Sequence, residues 1–270
     1  MNRGADFLDL YTALTWRLWR EQRRTIVLAP LLMTALFGAI LLGTQFSPDL
    51  LTGPTRHALR AAMESDGHGA AGPPGSLARA FIEHQAPYLL ALLSGLSAAS
   101  VSARLVGDEA DRGSLELLLA TRHGVRSIGG AMLLAAGTLS ALGWAILATT
   151  SAATIAALDA ALDLHVSISP AGIGTALAMQ FILALVSAEL AIVVILLVPA
   201  LARAPTGLAG NPTSVIGALP ALCAFLAANL LPGLSVLRLS LAAMIGAALL
   251  LVLGAAALRS WFRPERFLES

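Results

Sequence analysis

The sequence predicts an all-α integral membrane protein with six transmembrane helices. Of its 270 residues, 57% are apolar and only 12% are charged, which is typical of a helix bundle surrounded by lipid. Six stretches are apolar enough to cross about 30 Å of hydrocarbon, and each must be helical because the bilayer core offers its backbone no other partner. Their approximate bounds are 25–46, 86–106, 128–157, 172–200, 214–231 and 237–258. Residues 1–270 are interpreted as a single transmembrane domain.

The arginines predict the orientation of the spans, because cytoplasmic flanks carry the excess of positive charge. The sequence has no lysine, so its 17 basic residues are all arginine. With the N-terminus inside, 13 arginines fall in inner segments and 4 in outer ones. We therefore expect a multi-pass protein of the inner (plasma) membrane with both termini in the cytoplasm. The first 24 residues lack the pattern of a cleaved signal peptide, so the first span is expected to direct insertion.

Residues 1–24 predict an interfacial helix ahead of the first span. Phe7, Tyr11, Leu14 and Leu18 share one helical stripe, with tryptophans beside it and arginines able to reach the headgroups. The alternative is a cytosolic helix that packs on a partner.

The connection over residues 47–85, expected outside, is the longest hydrophilic segment. Its Gly- and Pro-rich centre interrupts regular structure. On either side, Leu59 with Met63 and Phe81 with Ile82 have the spacing of short amphipathic helices, which we expect to lie on the outer membrane surface.

Charge and cysteine content argue against several classes of ligand. A net charge of +1 makes nucleic acid an improbable partner, since binding it requires clustered cations. Cys223 is the one cysteine, so neither an intrachain disulfide nor a cysteine metal site is available. Four histidines are expected outside, and their spacing matches no metal motif, so no metal is predicted. They are His57, His68, His84 and His165.

The short cytoplasmic connection between spans two and three, residues 107–127, alternates charged and apolar side chains with helical spacing. Leu115 and Leu119 lie on an apolar stripe, and Arg112 with Glu116 has the i,i+4 spacing of a surface ion pair. This pattern predicts a helix half sunk in the bundle that offers its polar side to a soluble partner.

The same connection resembles the signature of ABC-2 type permeases, in which an acidic residue precedes a basic residue, Gly, a small hydroxyl residue, Glu, a leucine run and Thr. The matching positions are Glu109, Arg112, Gly113, Ser114, Glu116, Leu117 to Leu119 and Thr121. The family usually has Pro next, where this chain has Arg122. The resemblance implies that Asp108 to Thr121 form a coupling helix that docks on an ATP-binding cassette ATPase subunit. The alternative is an amphipathic loop helix without that role.

The resemblance further implies a permease subunit of an exporter, which moves a hydrophobic or amphiphilic substrate outward by alternating access. A second permease chain, identical or related, would complete the pathway. The chain is not expected to be an enzyme, because a P-loop requires a lysine and this sequence has none. ATP and Mg would therefore bind to the partner ATPase.

Glu189 is the candidate functional residue within the spans. It falls near the middle of the fourth span, where an acidic side chain costs roughly 2.5–3.5 kcal/mol to insert. Two interpretations stay open: a pathway or gating residue with Arg104 as a possible partner, or a protonated glutamate hydrogen-bonded between helices. Gln180 lies about half a turn away around the same helix and is expected to form an interhelical hydrogen bond.

Small residues such as Gly129, Gly130 and Gly246 would permit close helix approach, although they identify no dimer face.

Two other functions compete with export. One is a non-transporting membrane anchor or sensor subunit for an ATPase. The other is an intramembrane protease, because Gly95 to Ser97 is similar to the rhomboid Gly-x-Ser motif, but no histidine follows His165 to serve as its base.

Overall fold

The computed structural model describes residues 3–46, 53, 56–57, 59–60, 76–111, 125–166, 168–198, 201, 212–230 and 236–261. Over these ranges the chain is helical and contains no strand. Helix α1 covers Arg3–Phe46, and α2, Ser76–Ala80, continues through a π-helical turn, Phe81–Gln85, into α3, Ala86–Asp111. The later helices are α4 (Val125–Leu162), α5 (Pro170–Leu197), α6 (Pro212–Leu230) and α7 (Val236–Trp261).

Six helices in the described ranges, α1 and α3 to α7, are long and apolar enough to cross a membrane. The predicted all-α, six-span fold is therefore confirmed. Helix α5 ends at Leu197, before the approximate limit at residue 200 predicted for the fourth span, and Val198 leaves the helical conformation, with φ −133° and ψ 77°. The cause is Pro199, because a residue before proline disfavours helical backbone. At its other end α5 begins on a capping hydroxyl, with the Gly172 N–H donating to Ser169 Oγ at 3.1 Å.

Helix α3 lies at the centre of the bundle and α7 at its edge. α3 contacts α1, α4, α5 and α6, whereas α7 packs on α5 and α6. In the apolar span of α3, 78% of the residues are buried, against 11% in α7. The exposed side chains of α7 include Ile245 and Val252, which suits a helix whose outer face meets lipid.

Two glycines allow α3, α5 and α6 to approach closely. A Cβ added to Gly217 of α6 would lie 2.8 Å from the Ser187 backbone oxygen, and one added to Gly95 of α3 would lie 2.9 Å from Ser187 Oγ. The glycines singled out in the sequence are different: an added Cβ meets nothing within 4 Å at Gly129 or Gly246. Because it makes this close contact, Gly95 has a packing role that explains it without any protease chemistry.

Helix α1 joins the predicted interfacial helix and the first span without a break. Its apolar stripe faces the protein: Leu14 and Leu18 are buried against α4, and the Tyr11 hydroxyl lies 2.9 Å from Thr138 Oγ1. Within the chain, this stripe is therefore covered by the third span. An interfacial position of residues 1–24 in the membrane stays a prediction.

Described residues near both ends of the long hydrophilic connection, residues 47–85, lie in the bundle. Phe81 and Ile82 are buried in one apolar cluster with Leu59, Phe37 of α1 and Leu147 of α4. The expectation that Leu59, Phe81 and Ile82 rest on the outer membrane surface is therefore wrong. Their spacing marks a buried helical face as well as it marks a lipid-facing one, and only the packing distinguishes the two.

Candidate functional site

The predicted coupling element begins as a continuation of the central helix. Helix α3 continues past Val106, the predicted end of the second span, to Asp111, so the backbone of Asp108 and Glu109 belongs to its last turns. The other predicted docking residues lie outside the described part of the chain. They are Arg112, Gly113, Ser114, Glu116 and Thr121. Docking by this segment stays a prediction.

Glu189 lies on α5, eight residues before its C-terminal end, and packs against the sixth span. A Cβ added to Gly254 of α7 would lie 3.2 Å from Glu189 Oε1, so the glycine leaves room for the carboxylate. The side chain is half-buried. It therefore sits at the α5–α7 contact and not in the centre of the bundle.

Within the described residues, Glu189 makes no ion pair, and Arg104, its suggested partner, is exposed. No hydrogen bond joins the Glu189 carboxylate to another described side chain, so the interhelical hydrogen bond of the second interpretation is absent there as well. What the structure does show is a carboxylate beside Gly254 that is partly accessible from the surface of this chain. A role in a pathway stays a proposal.

Gln180, one residue before Phe181 on α5, has a very different environment. Only 3% of it is exposed, and its Oε1 has no hydrogen-bond partner among the described residues. Its backbone oxygen accepts a hydrogen bond from Ser94 Oγ at 3.3 Å. The expected interhelical bond therefore runs through the backbone oxygen, while the side-chain carbonyl is left as a buried acceptor. Such a group costs about 1–3 kcal/mol of stability.

Gln180 is one of the residues that line a cavity of about 610 Å³ near the N-terminal ends of α3 and α5. The π-helical turn, the end of α4, the connection from α4 to α5, and the first turns of α7 complete its wall. The cavity thus occupies the end of the bundle opposite Asp111. Its volume falls in the range of about 300–1,000 Å³ that is common for small-molecule sites.

Most of the cavity wall is apolar, and its polar groups are separated. Asp159 near the end of α4 and Glu83 of the π-helical turn are the ionisable lining residues in the described part of the chain. Asp159 Oδ1 accepts a hydrogen bond from the Val166 N–H at 3.1 Å, and Glu83 Oε1 accepts one from Arg79 Nε at 3.0 Å. The Gln180 Oε1 is itself buried, so it does not add an acceptor to the accessible wall of the cavity.

No family model, curated protein or solved structure matched the chain. Its function is therefore argued from its own residues.

Three of the four histidines that were considered as metal ligands lie within the described residues: His57, His84 and His165. The described residues contain no group of three or more His, Cys, Asp or Glu side chains placed to hold an ion. His57 is exposed, and His165 lies in a left-handed turn with Nδ1 2.8 Å from the Asp163 backbone oxygen. His68 lies outside the described residues.

Sequence reasoning identified Gln180 as polar but not as part of a cavity. Two signals were available: an amide in an apolar span, and Asp159 shortly before a Pro-capped helix start. Neither signal indicates that the ends of four helices line one cavity. That arrangement depends on long-range packing.

Proposed function

We propose that the chain is the membrane-spanning permease subunit of an ATP-binding cassette exporter, which moves a hydrophobic or amphiphilic substrate outward. Two permease chains, identical or related, would form the working unit with ATPase subunits that bind ATP and Mg. Three observations support this proposal. Six helices are long and apolar enough to span a membrane, residues Glu109 to Thr121 resemble the permease signature, and these residues follow the central helix α3 in the chain.

The continuity of α3 carries the proposal. One helix runs from Ala86, at the cavity, to Asp111, where the predicted coupling segment begins. Because its span is the most buried of the six, a push on its acidic end would be transmitted to the packed centre and not to the lipid-facing edge. A rigid helix embedded in packed side chains is a suitable element for a transition between two discrete arrangements.

A crosslinking experiment tests the predicted docking. Cys223 is exposed and would be replaced by Ala first, after which Ser114→Cys introduces a single attachment point for a photo-crosslinker. We expect a product with a polypeptide that contains a P-loop. The control is Ala160→Cys. Ala160 is exposed and lies near the C-terminal end of α4, the end farther from Ser114 along the chain, so it should not give that product. A Ser114→Cys label that reacts only from the outside would contradict the docking and the proposed orientation.

Charge variants test which residues hold the ATPase. Glu109→Ala, Arg112→Ala and Glu116→Ala should each reduce recovery of the ATPase with the permease. Arg17→Ala together with Glu21→Ala is the matched control, since this exposed pair is joined at 3.2 Å and lies on the same predicted side of the membrane. If the ATPase is still recovered with the permease after all three residues are replaced, the docking model is contradicted.

Transport itself separates an exporter from an anchor or sensor subunit. Inside-out vesicles that contain the permease and the ATPase identified by crosslinking should accumulate a lipophilic probe only when ATP is added. A stable complex that hydrolyses ATP but moves no probe would favour the non-transporting subunit.

A further inference from the structure

We propose that one face of α1 binds an anionic phospholipid of the surrounding bilayer. This face, the arginine–leucine face, consists of Arg20, Arg24, Leu28 and Leu31. The two arginines would hold the phosphate of the headgroup, and the two leucines would contact an acyl chain. The proposal concerns the lipid beside the helix and depends neither on export nor on an ATPase.

The spacing along α1 places the four side chains of this face in one row. Arg20, Arg24, Leu28 and Leu31 follow one another at intervals of four, four and three residues, the intervals at which side chains of a helix lie above each other. All four are exposed. Leu18, about 200° away from Arg20 around the helix, is buried against the other spans. The arginine–leucine face therefore points away from the bundle.

The arginines of this face carry positive charge that no described carboxylate neutralises. Residues 16–31 include four arginines and one glutamate, which leaves a net charge of +3. The glutamate, Glu21, is paired with Arg17 at 3.2 Å. Arg20 and Arg24 form no ion pair with a described residue. An anion is the complement of such a surface, and guanidinium groups bind phosphate through paired hydrogen bonds.

The Arg20 guanidinium is held over an aromatic ring. Its central carbon lies 4.9 Å from the centre of the Trp16 ring, and Trp16 is 56% exposed. Stacking on the indole restricts the guanidinium, so less rotamer freedom is lost when it binds an anion. Tryptophan is also enriched at the level of the lipid headgroups, where its ring lies at the apolar boundary and its N–H meets water. Trp16 and Arg20 therefore mark a headgroup level on α1.

The leucines distinguish a lipid from a soluble anion. Leu28 is 53% exposed and Leu31 is 41% exposed. Leu31 lies about 10 Å beyond Arg24 at 1.5 Å per residue, within reach of an acyl chain whose phosphate is held at Arg24. A soluble anion would make no use of exposed leucines. Phosphatidylcholine has the same acyl chains, but its own ammonium group competes with the guanidinium groups for its phosphate. The face therefore selects a lipid with a net negative charge.

The experiment places a fluorescent reporter on the arginine–leucine face. Leu31→Trp is compared with Leu219→Trp, because Leu219 is similarly exposed, at 42%, and lies on α6, which contains no charged residue. Each full chain is placed in phosphatidylcholine vesicles, and its quenching by brominated phosphatidylglycerol or brominated phosphatidylcholine is measured. The signal of the unaltered protein is subtracted. We expect about a five- to 25-fold preference for phosphatidylglycerol with Leu31→Trp, since each nearby arginine contributes about fivefold. No preference is expected with Leu219→Trp.

Charge variants in the Leu31→Trp protein assign the preference to the arginines. Arg20→Gln together with Arg24→Gln should lower it by at least about fivefold. Arg20→Lys together with Arg24→Lys retains both charges and should keep most of it. Arg60→Gln removes an exposed arginine from the connection that follows α1 and is the matched control, which should leave the preference unchanged. An excess of glycerol phosphate, which lacks acyl chains, should not displace the lipid.

Three results would overturn the proposal. One is equal quenching by the two lipids in the Leu31→Trp protein. Another is a preference that is as strong after Arg20→Gln with Arg24→Gln as after Arg60→Gln. The third is displacement of the lipid by glycerol phosphate, which would assign the arginines to a soluble anion. These outcomes are measured without an ATPase and leave the crosslinking test at Ser114 untouched, so the two proposals fail separately.

Discussion

Two polar residues on one helix, Gln180 and Glu189, show how differently the two halves of α5 are used. Gln180 is enclosed and its Oε1 is buried with no partner among the described residues, whereas Glu189 is half-buried beside Gly254 of the sixth span. They lie nine residues and thus about half a turn apart, so they face different neighbours. The cavity and the α5–α7 contact are therefore separate regions, divided by the close packing at Ser187.

The largest effect on stability is expected at the close contact between Gly217 and Ser187, which separates these two regions. Gly217→Ala places a methyl group 2.8 Å from the Ser187 backbone oxygen, which cannot move away without shifting α5. We expect the free energy of unfolding in mild detergent to fall by about 1–3 kcal/mol. Gly246→Ala is the matched control, because an added Cβ meets nothing there. Equal stability of both variants would mean that the two regions are not held apart by this contact.

Gln180→Leu should raise the free energy of unfolding by about 1 kcal/mol, because it removes a buried acceptor that has no partner among the described residues. Met179→Leu, a volume-conserving change at a buried neighbour that does not line the cavity, should leave the free energy of unfolding unchanged. A destabilised Gln180→Leu protein would instead assign Gln180 a structural role.

A satisfied polar pair provides the contrast to Gln180. Thr34 Oγ1 and Thr150 Oγ1 are 2.7 Å apart between α1 and α4. Replacing both by Val in a double-mutant cycle should give a coupling energy of about 0.6 kcal/mol, the average for such bonds in membranes. Thr149→Val is the control, since Thr149 bonds only to carbonyl oxygens of its own helix. A coupling energy indistinguishable from zero would show that this hydrogen bond does not join α1 to α4.

The smallest change in stability is expected at Glu189. Glu189→Gln should alter the free energy of unfolding by less than about 0.5 kcal/mol, because no described group pairs with the carboxylate. Export in ATP-energised vesicles should nevertheless fall if the residue serves the pathway. Normal export with unchanged ATPase stimulation would leave Glu189 with only a packing role next to Gly254.

Much of the fold followed from hydropathy alone, and each error has a local cause. The six spans were predicted because every apolar stretch of that length must become a helix in lipid. The earlier end of α5 reflects Pro199, a signal that was present in the sequence. Leu59, Phe81 and Ile82 were assigned to the membrane surface because apolar spacing does not say which apolar neighbour will cover a helical face.

By itself, the sequence determined the number and approximate limits of the spans and the resemblance of residues 109–121 to a permease signature. These properties depend on residues close together in the chain, where hydropathy and helical period are sufficient. Only the tertiary structure decided that Gly95 and Gly217 are the packing glycines, that Glu189 faces Gly254, and that Gln180 meets a cavity whose other end holds Asp159. The physical reason is that lipid makes every span similarly apolar, so which faces meet is set by the fit of side chains between distant helices.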